Sequence, residues 1–135
     1  DSGGVTAQTI ERAITPKTRA ILVVHLGGWP ADMPAIMQLA KDHGLKVIED
    51  CAQANGAKIE GHSVGSFGHV NAWSFCQDKI ITTAGEGGMV TTNDEAIWDW
   101  MWSPAHPPNW SGWAPTTPCA WAGWSGILAP RRIDW

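Results

Sequence analysis

The chain has 135 residues, enough for one domain with a core of its own. Its formal charge is −4, from 9 basic and 13 acidic residues, and no basic patch offers a footing for nucleic acid. The longest apolar run near the start, Ala20-Ile21-Leu22-Val23-Val24, is too short to span a bilayer, and the polar opening Asp1-Ser2-Gly3-Gly4 is not a signal-peptide pattern.

Taken in chain order, Thr6 is an N-cap and Ala7 to Ile14 reads as a short helix that Pro16 stops. Ala20 to His25 is a continuous apolar run of strand length, suited to a buried parallel strand. Gly27, Gly28 and Pro30 break it. Asp32 caps a second helix in which Met33, Ile36, Met37 and Ala40 recur at helical spacing, and Gly44 closes it. Leu45 to Asp50 is a second buried strand. This strand–helix–strand order implies a crossover and a parallel sheet. Residues 53–68 are polar and glycine-rich and read as loop. Val70 to Phe75 is a third strand, and Gly88 to Thr92 is a short fourth one after a turn. Asn93 or Asp94 then caps a helix beginning at Glu95.

Two carboxyl-end features carry chemistry. Ser74-Phe75-Cys76-Gln77-Asp78-Lys79 runs into the turn Gly85-Glu86-Gly87-Gly88 and places one lysine between a strand and glycines. A lysine buried there loses solvation, so its neutral amine becomes accessible to an aldehyde. Ile48-Glu49-Asp50 ends the second strand in a carboxylate. Ligands of open parallel sheets sit beyond the carboxyl ends of strands, so Asp50 and Lys79 share one crevice. A pyridoxal phosphate enzyme needs such a pair: the lysine holds the aldehyde, and the aspartate keeps the pyridinium nitrogen protonated. The glycine turn is not a Walker loop, because no Gly-Lys-Ser/Thr follows.

Several blocks then fall in one order: Val24-His25-Leu26-Gly27-Gly28-Trp29-Pro30, Ile48-Glu49-Asp50-Cys51-Ala52-Gln53-Ala54, Val64-Gly65-Ser66-Phe67-Gly68, and Ser74 to Gly88. Across residues 6–94 the chain resembles the DegT/DnrJ/EryC1/StrS aminotransferases, pyridoxal-phosphate enzymes that aminate keto-sugars. The resemblance implies an α/β fold, part of an aspartate-aminotransferase-like large domain with a mostly parallel sheet. It implies Lys79 as the Schiff-base and proton-carrying lysine, Asp50 at the pyridinium nitrogen, Gln53 near the ring, and Ser74 at the phosphate. It also implies an amino donor such as glutamate, a nucleotide-linked keto-sugar, and a homo-oligomer. No counterparts of the family's upstream phosphate loop, ring-stacking aromatic residue or small domain are found. Asn55 and His69 depart from the family's usual residues. If the missing parts matter most, the alternative is a non-catalytic remnant that self-associates or binds a partner.

Composition changes at Trp98. Eight of the ten tryptophans and six of the nine prolines fall in residues 98–135, without helical or alternating period. We therefore divide the chain into a cofactor-domain fragment, 1–97, and an irregular Trp/Pro-rich tail, 98–135. Three readings of the tail stand: an aromatic contact surface, a cap over an exposed edge, or a segment read out of frame. Three cysteines, Cys51, Cys76 and Cys119, do not make a disulfide framework and suit a reducing, cytoplasmic setting. The five histidines lack ligand spacing, so no metal site is expected.

Overall fold

The structure, a computed structural model, describes residues 4–102. Helix α1 (Ala7–Ala13) opens with a capping box in which Thr6 Oγ1 accepts from Thr9 N and Thr9 Oγ1 accepts from Thr6 N. Strand β1 (Ala20–Val24) follows, then one 3₁₀ turn at Leu26–Gly28. Helix α2 (Met33–Asp42) starts at Asp32, whose Oδ1 accepts from Ala35 N, and ends before Gly44. Strand β2 (Lys46–Asp50) pairs parallel with β1. The expected loop after it contains a two-residue hairpin, β3 (Lys58–Ile59) with β4 (His62–Ser63). These strands are too short to leave an alternating pattern in the sequence.

Strand β5 (Val70–Ser74) pairs parallel with β2, and β6 (Gly88–Thr91) pairs antiparallel with β5. The sheet order is β1-β2-β5-β6, so it is mostly parallel, as expected. Helix α3 (Glu95–Trp102) is capped by Asp94, whose Oδ1 accepts from Ala96 N and Ile97 N. The composition change at Trp98 falls inside α3, and the rest of the tail lies outside the described residues.

Register sorts the side chains onto two faces. Val23, Glu49, Asn71 and Thr91 form one row across the sheet and are all buried. This face is covered by the helices: Ile21, Val23 and Val47 pack with Met33, Ile36 and Ala40, with Ala7 and Ile10 of α1 against them. Burying a side chain such as Met33 or Ile36 contributes roughly 1.5–3 kcal/mol. The opposite row is Val24, Asp50, Ala72 and Val90. On this face Leu22 is 62% exposed and Val24 41% exposed. Parallel sheets bury both faces in folded proteins, so this is the face where further structure or a ligand belongs.

Gly65 fixes how tightly the 64–68 loop meets the sheet. Its φ is +76°, and a Cβ there would lie 2.3 Å from Trp73 Cζ2. Gly65→Ala should therefore destabilise the domain by about 2–4 kcal/mol, from left-handed strain and overpacking together. Urea unfolding followed by tryptophan fluorescence checks this; a midpoint equal to wild type would contradict the packing.

Candidate active site

Strand β2 presents its last two residues to opposite faces, because successive side chains alternate. Glu49 turns into the covered face and Asp50 into the open one. Asp50 Oδ1 accepts from Ala52 N at 3.0 Å, which turns the chain out of the strand. Its other oxygen has no hydrogen-bond partner among the described residues. Asp50 lies opposite Ala72, and Ser74, two residues further along β5, shares that face. Ser74 Oγ accepts weakly from Cys76 N at 3.4 Å, leaving its proton to donate elsewhere. Gln53 Oε1 accepts from Gly27 N at 2.7 Å, which ties the segment after β2 to the turn after β1.

Lys79 lies in the turn beyond β5, with its N–H donating to Cys76 O at 3.0 Å. Its amine has no hydrogen bond or ion pair among the described residues. The sequence reading expected a buried lysine; the structure leaves it half-exposed, with the neighbouring Ile80 83% exposed. Residues 77–84 form a turn beyond the end of β5, and all of them but Lys79 are exposed. The base of this turn is laced. Thr83 N and Oγ1 both donate to Phe75 O, Phe75 N donates to Gly87 O, and Cys76 Sγ donates to Glu86 Oε1.

On the covered face, sequence reasoning passed over a second cluster. Glu49 and His25 are wholly buried and 3.0 Å apart, Oε2 to Nε2. Glu49 Oε2 also accepts from Gly65 N at 2.7 Å; Oε1 accepts from Phe67 N at 2.9 Å and from Gly68 N. His25 Nδ1 accepts from Ala31 N at 3.2 Å. Cys51 is buried beside them, close enough for the three to be considered metal ligands. Four N–H donors already fill the carboxylate, and both imidazole nitrogens are engaged. Burial and the neighbouring charges of Glu49 and Asp50 push the Cys51 thiol up to about 12, against the thiolate a metal requires. The available signal was the pattern Val47-Ile48-Glu49, which puts a carboxylate on the same face as Val47.

The model of the DegT/DnrJ/EryC1/StrS aminotransferase family matches residues 1–103. The chain belongs to this family. It is 60% identical over 93 residues to the UDP-N-acetyl-3-dehydro-alpha-D-glucosamine 3-aminotransferase of Acidithiobacillus ferrooxidans, covering 69% of this chain and 25% of that protein. It is 56% identical over 90 residues to the GDP-perosamine synthase of Escherichia coli O157:H7, covering 67% and 24%. Among solved structures it resembles an aminotransferase from Psychrobacter cryohalolentis, with a TM-score of 0.73 and 62% identity over 75% of this chain and 26% of that one. It also resembles the E. coli GDP-4-keto-6-deoxy-D-mannose-3-dehydratase with bound hydrated PLP, with a TM-score of 0.67 and 28% identity over 75% and 26%. This family member thus spans about a quarter of the length of these relatives.

Pyridoxal phosphate is the cofactor that the family and its solved relatives indicate. The residues present fit it. The open face carries, at the last positions of β2 and β5, a carboxylate with one oxygen unengaged among the described residues and a serine hydroxyl with a proton to give, and the turn after β5 carries the Lys79 amine.

Three groups tie the domain's stability to acid pH: Asp94, held below 3.8 by the Ile97 amide, and two that begin to titrate at higher pH, His69 and Glu49. Burial, then the charge of Lys46, holds His69 below its ordinary 6.5, with Asp94 pulling the other way. Its Nδ1 accepts from Val47 N at 3.0 Å. Burial alone would raise Glu49, but the His25 bond and the amides of Gly68 and Gly65 outweigh it and hold the carboxyl below 4.5. In both cases the unfolded chain takes up the proton first. Stability is therefore full above the unfolded pKa and is lost as pH falls through it toward the folded value. Melting temperature should decline in two stages, the first beginning near 6.5 and the second near 4.5. His69→Asn should remove the first stage only. A melting temperature flat with pH across both ranges would contradict the assignment.

Proposed function

We propose that this chain forms the cofactor-holding core of a pyridoxal-phosphate aminotransferase acting on a nucleotide-linked keto-sugar, with an amino donor such as glutamate. The observation that carries the reading is that Asp50 and Ser74 share the open face at the last positions of β2 and β5, with Lys79 in the turn that follows β5. The relatives named above, which act on nucleotide sugars or their derivatives, support the substrate class. Asp50 would hold the ring nitrogen's proton. Ser74 would donate to the phosphate, and Gln53, anchored at Gly27, would serve beside the ring. Lys79 would supply the amine for the cofactor aldehyde and the group that carries a proton at the substrate carbon. When bound, the cofactor supplies the electron sink that lets an amino group move between donor and keto carbon. A reducing, cytoplasmic setting suits the free thiols of Cys51 and Cys76. No helix of the described residues is long and apolar enough to cross a membrane.

The open sheet face supports a second reading, in which the chain is a non-catalytic domain that self-associates. Leu22, Val24 and Trp29 are exposed, and exposed apolar surface and sheet edges favour oligomers. A homo-oligomer is also compatible with the first reading, so turnover rather than size separates the two.

Borohydride treatment of the chain with pyridoxal phosphate, followed by peptide mass mapping, should find the pyridoxyl mass on Lys79. Lys79→Ala should abolish it, and Asp50→Ala should weaken cofactor binding by roughly ten- to a hundredfold, as expected for a hydrogen bond to a charged group. Labelling of another lysine, or none in a folded chain, would remove the assignment.

A further inference from the structure

Three sequence blocks have no chemical role in this reading: the His25 turn, the Val64–Gly68 loop, and Glu49 itself. All three meet at one carboxylate. The amides of Gly65, Phe67 and Gly68 form a concave nest, and its anion is Glu49. His25 completes it. Because Ala31 N–H donates to Nδ1, that nitrogen is bare and Nε2 carries the proton given to Glu49. The ring is a fixed bridge from the 25–31 turn to the end of β2. Gly68 permits the close approach, since a Cβ there would lie 3.0 Å from Glu49 Cγ and 2.9 Å from Asn71 Oδ1.

A buried ion of this kind need not stabilise a fold more than an apolar side chain of similar volume. What it adds is direction: four N–H vectors from separate segments define where the carboxylate sits. Glu49 is bonded directly to Asp50 along the strand, so fixing one fixes the other on the opposite face. The same turn that carries His25 carries Gly27, whose N–H holds Gln53 Oε1. Both cofactor-facing groups of this segment therefore hang from the one buried carboxylate.

We propose that Glu49, held by His25 and the Gly65–Gly68 amides, is a positioning residue that sets Asp50 and Gln53 against the cofactor ring. The inference rests on the proposed function for the identity of that cofactor, but its test does not need it. Gly27 N–H and Ala52 N–H report directly on Gln53 and Asp50, because they bond to those side chains. Amide hydrogen exchange on the full 135-residue chain without cofactor reads both. His25→Asn keeps a polar side chain but cannot reach Glu49; His25→Gln puts an amide N–H where Nε2 stands. His25→Asn should speed exchange at Ala52 and Gly27 by about tenfold, the loss of one hydrogen bond, while the β5–β6 ladder keeps its protection. His25→Gln should restore both. Uniform acceleration of all amides would show a merely structural role and overturn the proposal, as would unchanged exchange at Ala52. Should His25→Asn fail to fold, the ¹⁵N spectrum of the wild-type imidazole decides: a bare Nδ1 with a protonated Nε2 supports the bridge, and a protonated Nδ1 overturns it. Selective exchange without borohydride trapping at Lys79 would overturn the proposed function and leave standing the positioning of Asp50 and Gln53 by Glu49.

Discussion

A carboxylate with no access to water must have its lone pairs filled by the protein, or the fold loses several kcal/mol. Glu49 meets that demand with donors from two places: the imidazole of His25 and the amides of the 65–68 loop. Neither place is local to β2. The requirement therefore dictates the path of the chain after β1 and before β5. The 65–68 loop must lie against the covered face with its amides turned inward. Gly65 and Gly68 allow this, one meeting Trp73 and the other meeting Glu49 and Asn71 at distances a side chain could not share. A glycine-rich stretch of a type that often marks a mobile surface loop is here a fitted wall.

The alternation of a β-strand carries the consequence through the sheet. With Glu49 fixed inward, Asp50 must face outward, into a row that is otherwise Val24, Ala72 and Val90. A carboxylate set among apolar neighbours on an open sheet face is poorly placed for stability and well placed for a ligand. The same face exposes Leu22, which no element of the described residues covers. The fold thus has one finished half, where α1 and α2 close the core, and one face that no element of the described residues covers. The share of its relatives that the chain spans, about a quarter, agrees with a sheet covered on one side.

The elements that could be read from sequence were those whose signal is local. Thr6, Asp32 and Asp94 announce helices because capping needs only neighbouring amides. The runs at β1 and β2 announce parallel strands because such strands are apolar on both faces, but the burial expected of β1 holds on one face only, since Leu22 and Val24 are exposed. Asp50, Ser74 and Lys79 stand out in the sequence because strand ends collect ligands and because the blocks fall in one family's order; their shared role is the proposal made above. Glu49 and His25 were not, since their partners are distant in sequence and each taken alone looks like a solvated strand end or a loop histidine. The β3–β4 hairpin escaped because two residues do not make a period. The exposure of Lys79 was misjudged for a related reason: an apolar run before a lysine predicts a buried strand, but not how far the following turn carries the amine beyond it.

That turn combines a laced base with an amine that has no hydrogen bond or ion pair among the described residues. Ala84 takes a left-handed φ of +61°, a conformation costing an L-residue roughly 1–2 kcal/mol. Such strain persists only where surrounding contacts over-determine the backbone. Here Thr82 Oγ1 accepts from Ala84 N, Thr83 holds Phe75 O twice, and Glu86 takes the Cys76 thiol. None of these bonds involves the side chain of Lys79. A lysine that must form a bond and later give it up needs a fixed root and a mobile end, because an amine locked in an ion pair would have to break that pair at each turnover. For the role proposed for Lys79, the lacing would supply the root, and the amine, without a hydrogen bond or ion pair among the described residues, would supply the end. Burial would add a lowered affinity for protons, and among the described residues Lys79 is only partly buried.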